Sequence, residues 1–504
     1  MEKRQQWDSR MIFIFAAIGS AAGLGNAWRF PYMAASNGGG AFLIPYFIAL
    51  ITAGIPLLIL EFGIGHKFQA GAPTAFSKVK KGWEGLGWWS IGVSFVIVTY
   101  YAVIMAWVFD YLWYSLSLAW GDAPADFFLN NVLKLSEGPG HLGGFSIPVL
   151  IGLILAWLAV YWTIRDGVKS VGKVVKWTVP LPIIMLGILV IRGLTLPGAI
   201  DGINYYLNPD FSKLLDPKVW ASAYGQVFFS LSVAFGVMIA YASYLPKKSD
   251  ITNNAFITAF ANCGISFMAG FAVFGTMGYM AAEKGASVAE VAGTGGIGLA
   301  FWVYPEAIRL LPFGSVVFAL VFYIMLLTLG IDSFFSLVEG VVAGVSDKWG
   351  FGKKKTTIGV ILVGFVISLI YATKGGLHWL DIVDRYVNNY GIIGVALFET
   401  IAIGWIYKSR KLREYVNPIS EVHLGGWYDV LIKFIAPLAL AGILVWNIVQ
   451  EIIDVTQGNA YGGYPVWAIA VGGWLVAIVL IVGSIILGKS KSSYVMEEAS
   501  EEVE

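Results

Sequence analysis

Polar and ionisable side chains interrupt segments that are otherwise apolar enough to cross a membrane. The stretch GSAAGLGNAWRFPY, residues 19–32, carries Asn26 and Arg29 among three glycines. Asp332 is the only acid in residues 312–336, which contain no Lys or Arg. An isolated charge inside a bilayer is costly unless it is neutralised, so such residues usually mark a functional site. Asp332 therefore predicts a bound cation rather than an internal ion pair.

Two stretches of small residues predict breaks in the helices that contain them. They are residues 19–25 and the sequence SLSVAFG at 230–236. Backbone groups that leave a helix inside a bilayer must face a cavity, a ligand or an ion, and transporters with inverted repeats bind their cargo between such broken helices. Small residues also permit close helix packing, but Asn26 and Arg29 favour a functional break.

Two pairs of neutral polar residues each share a helix face. Gln226 and Ser230 are spaced i, i+4, as are Asn262 and Ser266. Together with Tyr46, these side chains could cradle an anion without a competing negative charge.

Two alternatives remain for these polar side chains. They could hydrogen-bond one another, or Glu61 could supply the negative charge in place of an anion. The apolar segments 220–245 and 252–282 contain no Asp or Glu, which favours the anion.

The composition predicts a membrane protein with many spans. The chain has 504 residues, of which 58% are hydrophobic and 13% charged, and its mean hydropathy is +0.73. Soluble domains carry about 25% charged residues. The net charge of +1 gives no indication of nucleic-acid binding, and the single cysteine, Cys263, excludes a disulfide framework.

Twelve apolar segments are long enough to span a bilayer. They cover residues 11–35, 40–65, 88–120, 147–164, 174–193, 220–245, 252–282, 312–345, 356–373, 380–407, 428–452 and 464–488. Lys and Arg are concentrated in the connections on the side of the N-terminus. The positive-inside rule then predicts that both termini are cytoplasmic, in a multi-pass protein of the plasma membrane.

Five motifs resemble those of the neurotransmitter:sodium symporter family. They are GSAAGLGNAWRFPY at 19–32, NGGGAFLIPY at 37–46, GQVFFSLSVAFG at 225–236, NCGISFMAGF at 262–271 and LTLGIDSFFSLVEG at 327–340. The resemblance covers essentially the whole chain. It implies an all-α membrane protein with the leucine-transporter fold, which takes up amino acids or amines with sodium by alternating access.

This fold divides the chain into two inverted five-helix repeats and two C-terminal helices. The implied parts are a cytoplasmic segment at 1–10, the first repeat at 11–193, an extracellular loop at 194–219, the second repeat at 220–407, the last two helices at 428–488 and an acidic cytoplasmic tail at 489–504.

The resemblance implies two sodium sites built from hard oxygen ligands, and a chloride site. The first sodium site uses the carboxylate of the substrate together with Ala21, Asn26, Ser230 and Asn262. The second uses Gly19, Ala22, Leu329, Asp332 and Ser333. The chloride site of the chloride-dependent members corresponds to Tyr46, Gln226, Ser230, Asn262 and Ser266.

The implied substrate pocket is mainly apolar, with a few hydroxyl groups. It is lined by Ala21, Leu24, Gly25, Ile97, Tyr101, Phe229, Ser230, Ser232, Phe235, Ser333, Ser336 and Leu337. Amine-selective members carry an aspartate where this chain has Gly23, so we expect a substrate with its own carboxylate. A neutral, hydrophobic amino acid fits best. Ala234 replaces a glycine that is common at the second break.

The resemblance also implies two gates and a flexible helix. The extracellular gate pairs Arg29 with Asp384 above a lid of Tyr101 and Phe229. The intracellular gate consists of Arg4, Trp7, Tyr244, Glu339 and Asp347. Gly172 and Pro182 match a Gly-X9-Pro element and imply unwinding in the fifth span, because neither residue holds a helix firmly.

Other classes of function have less support in the sequence. We expect no catalytic residues, because the chain has no recognisable nucleophile set or phosphate-binding loop, and its four histidines lie at or beyond the ends of the spans. The alternatives within transporters are a proton-coupled or exchanging amino-acid carrier of the same fold, and a sodium symporter for another small carboxylate such as 4-aminobutyrate or glycine. The oligomeric state is left open.

Overall fold

The computed structural model describes residues 4–292, 296–311 and 313–491. Within these ranges the chain forms helices and connections, without a β-strand. The predicted N-terminal segment 1–10 is described from residue 4, and most of the predicted tail 489–504 lies outside the described residues. The all-α fold class is confirmed, whereas the division into two inverted repeats stays a prediction.

The first half of the chain opens with two helices that meet at an angle of 50°. These are α1 (Arg10–Ala21) and α2 (Gly25–Ser36). The helices that follow are α3 (Gly40–Phe68), α4 (Ala72–Val79), α5 (Glu84–Tyr114), α6 (Ile147–Ile164) and α7 (Val168–Leu194).

The second half also contains an interrupted pair. Its helices are α8 (Ala199–Leu207), α9 (Pro217–Leu231), α10 (Val237–Ala242), α11 (Thr252–Lys284), α12 (Tyr304–Leu310), α13 (Ser315–Trp349), α14 (Lys353–Ala372), α15 (Gly376–Ile419), α16 (Gly426–Thr456) and α17 (Val466–Lys489). Short helical turns in the connections are Pro124–Asp126, Phe127–Leu133, Phe211–Leu215, Val288–Ala292, Leu299–Val303 and Tyr461–Gly463.

The membrane spans agree with the sequence apart from the second break. Among the described residues, ten helices are long and apolar enough to cross a bilayer, and α1 with α2 forms an eleventh as a bent pair. The remaining predicted segment, 220–245, is divided between α9 and α10. Neither piece is long enough to cross a bilayer alone, so the twelfth span stays a prediction.

The long helix α5 lies at the centre of the bundle and packs against α6, α13 and α17. In its most apolar window 83% of the residues are buried, and Trp107 and Tyr111 have no exposed surface. The corresponding windows of α16 and α17 are only 22% buried. Their exposed side chains are apolar, as expected for helices whose outer surface contacts lipid.

Gly65 allows α3 to contact the backbone of α10. A Cβ atom at Gly65 would overlap the Ile239 carbonyl group and would lie 2.9 Å from the Ile239 Cα. Small residues permit this kind of close approach between helices in membranes. The contact fixes α10, the helix that follows the second break, directly against α3.

We expect Gly65→Ala to lower the midpoint of thermal unfolding of the purified protein in detergent by several degrees. The added methyl group forces the two backbones apart, and overpacking of this kind costs about 1–3 kcal/mol. The matched control is Gly264→Ala on α11, where a Cβ atom meets nothing within 4 Å and alanine favours the helix by about 0.5–1 kcal/mol. Unfolding of Gly65→Ala at the wild-type temperature would contradict the close contact.

Candidate ion and substrate site

The break between α1 and α2 is held by side chains from three segments. The Gly23 amide donates to Asn26 Oδ1 at 3.1 Å within the break itself. The freed carbonyl of Ser20 accepts hydroxyl hydrogen bonds from Ser232 at 2.9 Å and Ser333 at 3.1 Å. These bonds satisfy backbone groups that a continuous helix would pair internally, and they join the first break to the second break and to α13.

The break between α9 and α10 contains three residues with left-handed backbone conformations. Ser232, Ala234 and Gly236 have φ angles of 52°, 70° and 70°. Glu61 of α3 accepts a hydrogen bond from the Ala234 amide at 2.5 Å, and Ser94 of α5 donates at 2.6 Å to the carbonyl of the next residue. The second break is therefore fixed by polar groups from two neighbouring helices.

The Asn26 amide lies in an oxygen-rich cluster between α2, α9 and α11. Its Nδ2 atom is 2.7 Å from Ser266 Oγ, 3.3 Å from Ser230 Oγ, 2.8 Å from the side-chain amide of Asn262 and 3.1 Å from the Asn262 carbonyl. The Ala21 carbonyl is 3.2 Å from the same Asn262 amide. An amide nitrogen has only two protons to donate, so Asn26 cannot bond all of these oxygens at once. The residues predicted for the first sodium site lie together, and Ser266 joins them.

Asp332 faces the first break from α13. It is 1% exposed, and a Cβ atom at Gly19 would lie 2.5 Å from its Oδ2. In the described part of the chain its Oδ1 has no hydrogen-bond partner, and burying an unpaired carboxylate is costly. Ser333 contacts the break through the Ser20 carbonyl. The predicted second sodium set, which also includes Ala22 and Leu329, therefore lies between α1 and α13.

The predicted chloride residues lie next to this cluster. The Tyr46 hydroxyl is beside Ser266. Gln226 donates to the Gly25 carbonyl at 3.3 Å, while its Oε1 is buried without a hydrogen bond from any described residue. Ser230 and Asn262 take part in the Asn26 cluster, so the anion and cation residues share side chains.

Gly23 is in a crowded position between α1, α5 and α13. A Cβ atom at Gly23 would overlap Ser333 Oγ and would lie 3.6 Å from the Tyr101 hydroxyl. The absence of a side chain at this position therefore brings the α5 tyrosine and the α13 serine up to the backbone of the first break.

The Phe229 ring lies against the first break from α9. A Cβ atom at Gly25 would be 2.6 Å from the ring, and the Phe229 and Phe235 centroids are 6.4 Å apart. The other predicted pocket residues that are buried are Leu24, Ile97, Ser336 and Leu337. Among them, the Ser336 hydroxyl is 2.8 Å from that of Ser20.

Arg29 and Asp384 form no direct ion pair, in contrast to the predicted extracellular gate. The Arg29 guanidinium lies 4.3 Å above the Phe229 ring and donates to Asn388 Oδ1 at 3.2 Å. Asn388 in turn donates to Asp384 at 2.8 Å, and Tyr100 donates to the same carboxylate at 2.7 Å. The charges are joined through one amide because the aromatic ring holds the guanidinium away from the acid.

The opposite end of the bundle, here called the N-terminal face, is closed around Arg4 and Asp347. Arg4 Nη1 lies 2.9 and 3.0 Å from the two carboxylate oxygens of Asp347, and Nη2 donates to Ser243 at 2.6 Å. The Gly71 amide donates to the same carboxylate at 2.6 Å. Burial opposes the charge on Arg4, but the Asp347 carboxylate outweighs it and raises the pKa of Arg4.

A second layer of contacts at the N-terminal face surrounds Tyr244. Its hydroxyl donates to Glu339 at 2.8 Å, and Lys353 reaches the same carboxylate at 2.5 Å. Trp7 donates its indole N–H to the Tyr241 carbonyl at 2.8 Å. All five residues predicted for the intracellular gate therefore lie in one connected network.

The unwinding of α7 that Gly172 and Pro182 imply stays a prediction, and the helix has one interruption between these two residues. It remains helical past Gly172 and is interrupted only at Val179. The local reason is packing: a Cβ atom at Gly172 would lie 3.0 Å from Ile12 of α1, so the glycine serves close helix contact.

Comparison with known proteins gives matches over nearly the full chain. The sodium:neurotransmitter symporter family matches residues 4–124 and 121–491. An uncharacterized sodium-dependent transporter of Methanocaldococcus jannaschii is 43% identical over 491 residues, which cover 97% of this chain and 98% of the relative. The human sodium- and chloride-dependent GABA transporter 2 is 35% identical, covering 94% of this chain and 85% of the relative. The human sodium- and chloride-dependent taurine transporter is also 35% identical and covers 94% and 83%.

The chain belongs to the sodium:neurotransmitter symporter family. Members of this family are transporters, so the expectation that the protein is not an enzyme is confirmed. The family also confirms a multi-pass membrane protein that acts on a small molecule.

The residues of this symporter's networks that were missed in the sequence include Asn388, Ser243 and Lys353. Asn388 follows Asp384 by four residues, so the helical spacing could have placed both on one face. Ser243 precedes the predicted gate residue Tyr244 directly. Lys353 begins a run of three lysines, and nothing in that run distinguishes the lysine that contacts Glu339.

We expect Asp347→Asn to open the N-terminal face of this symporter. The reporter is the cysteine of the variant Tyr241→Cys in a Cys263→Ala background. Tyr241 is fully buried, and its ring packs against Trp7. Charge-assisted hydrogen bonds contribute about 1.5–3 kcal/mol, so the maleimide labelling rate of the reporter should rise roughly tenfold.

The control for this experiment is Asp166→Asn. Asp166 forms an exposed ion pair with Arg165 at 3.5 Å, and such pairs contribute little, so labelling should stay at the reference rate. Equal labelling of Asp347→Asn and the reference protein would show that the Arg4–Asp347 pair does not close this face.

Proposed function

We propose that the protein is a sodium-coupled symporter that imports a neutral, hydrophobic amino acid, with two sodium ions and with chloride. It would act in the plasma membrane with both termini in the cytoplasm. The observation that carries this proposal is the pair of broken helices beside an oxygen-rich cluster and the buried Asp332 carboxylate, whose Oδ1 has no hydrogen bond from any described residue. Neither arrangement is expected in a protein that only packs helices.

The first proposed ion is coordinated by the Asn26 cluster. Hard cations take oxygen ligands, and the Ala21 carbonyl, Ser230 and Asn262 offer oxygens beside Asn26. The substrate carboxylate would lie against the amides at the start of α2, where the helix dipole favours negative charge. Ion and substrate would then be ligands of each other, which couples their binding.

The second proposed ion is held by Asp332. The charge of this carboxylate needs a cation or a proton, because the rest of the described chain gives its Oδ1 no hydrogen bond. Because Gly19 has no side chain, the carboxylate lies directly against the backbone of the first break, where carbonyl oxygens are available. A proton in place of sodium gives the proton-coupled alternative.

The proposed chloride ion would lie among Tyr46, Gln226 and Ser266. These donors are neutral, and residues 220–245 and 252–282 contain no Asp or Glu that would repel an anion. The human relatives whose names include chloride dependence align over 94% of this chain. Glu61 is the alternative source of negative charge in place of chloride, but its carboxylate accepts a hydrogen bond from the Ala234 amide.

A second candidate substrate is a small acid with a separated amine, such as 4-aminobutyrate or taurine. The observation that favours it is that two human relatives are named for these compounds. The crowding at Gly23 leaves no room there for an aspartate to bind the amine of a monoamine. Both candidates therefore keep an acid group on the substrate.

We expect Asp332→Asn to raise the sodium concentration for half-maximal uptake at least tenfold, or to abolish sodium-driven uptake. Loss of about 1.4 kcal/mol of ion binding gives a factor of ten. The assay is uptake of labelled leucine, tryptophan, glycine, 4-aminobutyrate and taurine into proteoliposomes under a sodium gradient. Asp110→Asn, which removes another buried acid from a membrane helix, is the matched control.

Uptake by the wild-type protein in potassium distinguishes the coupling ions. Equal uptake in sodium and potassium would contradict sodium coupling, and stimulation by an imposed proton gradient would then support the proton-coupled carrier. Normal sodium dependence of Asp332→Asn would contradict the second ion site alone.

We expect Ser266→Glu to transport without chloride. A carboxylate at this position would supply the negative charge that chloride supplies in the wild-type protein. Uptake is measured in chloride and in gluconate, with Ser266→Ala as the matched control that should not gain chloride-independent uptake. Undiminished wild-type uptake in gluconate would contradict the chloride proposal.

A further inference from the structure

A groove on the outer surface of the bundle lies between α6 and α14, apart from the ion and substrate site. Its volume is about 360 Å³, within the range of small-molecule sites of about 300–1,000 Å³. The α6 side is formed by Ile154, Trp157, Leu158 and Tyr161. These residues repeat at i, i+3, i+4 and i+7, so they form one continuous face of the helix.

The α14 side of the groove has the same spacing. It consists of Ile358, Ile361, Leu362 and Phe365. The two faces run side by side for about two helical turns, or about 10 Å. Leu158 is 49% exposed and Leu362 59% exposed, so apolar side chains remain uncovered along this length. The groove therefore suits a hydrocarbon chain rather than a polar ligand.

Basic residues lie where this groove ends at the N-terminal face. Arg165 comes four residues after Tyr161, directly after the last residue of α6, and Lys354 precedes Ile358 by four residues on α14. This spacing places each at the end of the helix face that lines the groove. Both are exposed, as is Lys355.

The two basic positions belong to the same end of the bundle. Lys353 Nζ would be 3.0 Å from a Cβ atom at Gly167, which follows α6. The Val168 amide donates to the side chain of Gln5 at 3.1 Å, which places this end at the N-terminal face. The groove thus has an apolar body and a basic mouth.

The acid beside Arg165 does not cancel the positive charge of the mouth. Asp166 contacts Arg165 at 3.5 Å, but this exposed pair is weak. The Arg165 guanidinium also lies 4.2 Å above the exposed Trp162 ring, an aromatic residue of the kind that is enriched at membrane interfaces.

We propose that this groove binds a phospholipid with an anionic headgroup, whose acyl chain lies between α6 and α14 and whose phosphate lies against Arg165 and Lys354. Basic pockets between membrane helices bind anionic headgroups in this manner. A second copy of the chain fits less well, because a two-fold interface brings the same patch of each copy together. The basic mouths would then face each other.

The test is native mass spectrometry of the delipidated, full-length protein in detergent, titrated with palmitoyl-oleoyl phosphatidylglycerol or phosphatidylcholine. Phosphatidylglycerol should occupy the protein at a concentration at least fivefold lower than phosphatidylcholine. The double variant Arg165→Gln, Lys354→Gln should remove this preference, because each basic residue contributes about a fivefold difference in affinity for the anionic lipid. The matched control is Lys247→Gln with Lys248→Gln, which removes two exposed lysines elsewhere in the chain and should keep the preference.

A second pair of variants tests the apolar body of the groove. Leu362→Trp should fill the groove and reduce occupancy by phosphatidylglycerol at least fivefold. Leu438→Trp, on the exposed surface of α16, should not. Monodisperse elution in gel filtration shows that each variant is folded.

Three results would overturn the proposal. One is equal binding of the two lipids by the wild-type protein. Another is displacement of phosphatidylglycerol by millimolar glycerol phosphate, which would show a site for the headgroup alone. The third is a wild-type dimer that Leu362→Trp dissociates, which would assign the groove to a second copy of the chain.

Discussion

Peptide groups that leave a helix inside a bilayer must find partners within the protein, and this constraint governs the centre of the molecule. Both breaks meet it with side chains from other helices. Ser232 and Ser333 donate to the Ser20 carbonyl, and Glu61 and Ser94 hold the second break. Because Ser232 belongs to the second break and Ser20 to the end of α1, the two breaks also support each other. A change at one of them reaches the other through a single hydrogen bond.

The sequence predicted the breaks and most of the polar cluster because each has a strong local signal. A polar residue among glycines in an apolar segment is unusual, and Asn26 and Asp332 are both of this kind. Helical spacing alone was enough to pair Asn262 with Ser266. What spacing does not contain is the contact between helices, and so the bonds from Arg29 to Asn388 and from Lys353 to Glu339 were missed. The same limit applies to Gly172, because its close packing against Ile12 of α1 is a contact between helices.

The two faces of the bundle are closed by contacts of different strength. At the N-terminal face, Arg4 makes two charge-assisted bonds with Asp347, which also accepts from the Gly71 amide. At the opposite face, Arg29 reaches Asp384 only through Asn388. Direct pairs between charged groups are stronger than bonds through a neutral amide. The structure therefore corresponds to a state in which the N-terminal face is the more firmly closed of the two.

The second break is held more rigidly than the first, and this difference bears on how the helices move. Ala234 adopts a left-handed conformation that costs an alanine about 1–2 kcal/mol. It persists because Glu61 of α3 accepts from its amide. One turn further along α3, Gly65 lies against the backbone of Ile239 in α10. Since α3 contacts the break and the helix after it, α3 links these two segments, whereas α1 is joined to α13 through hydroxyl groups.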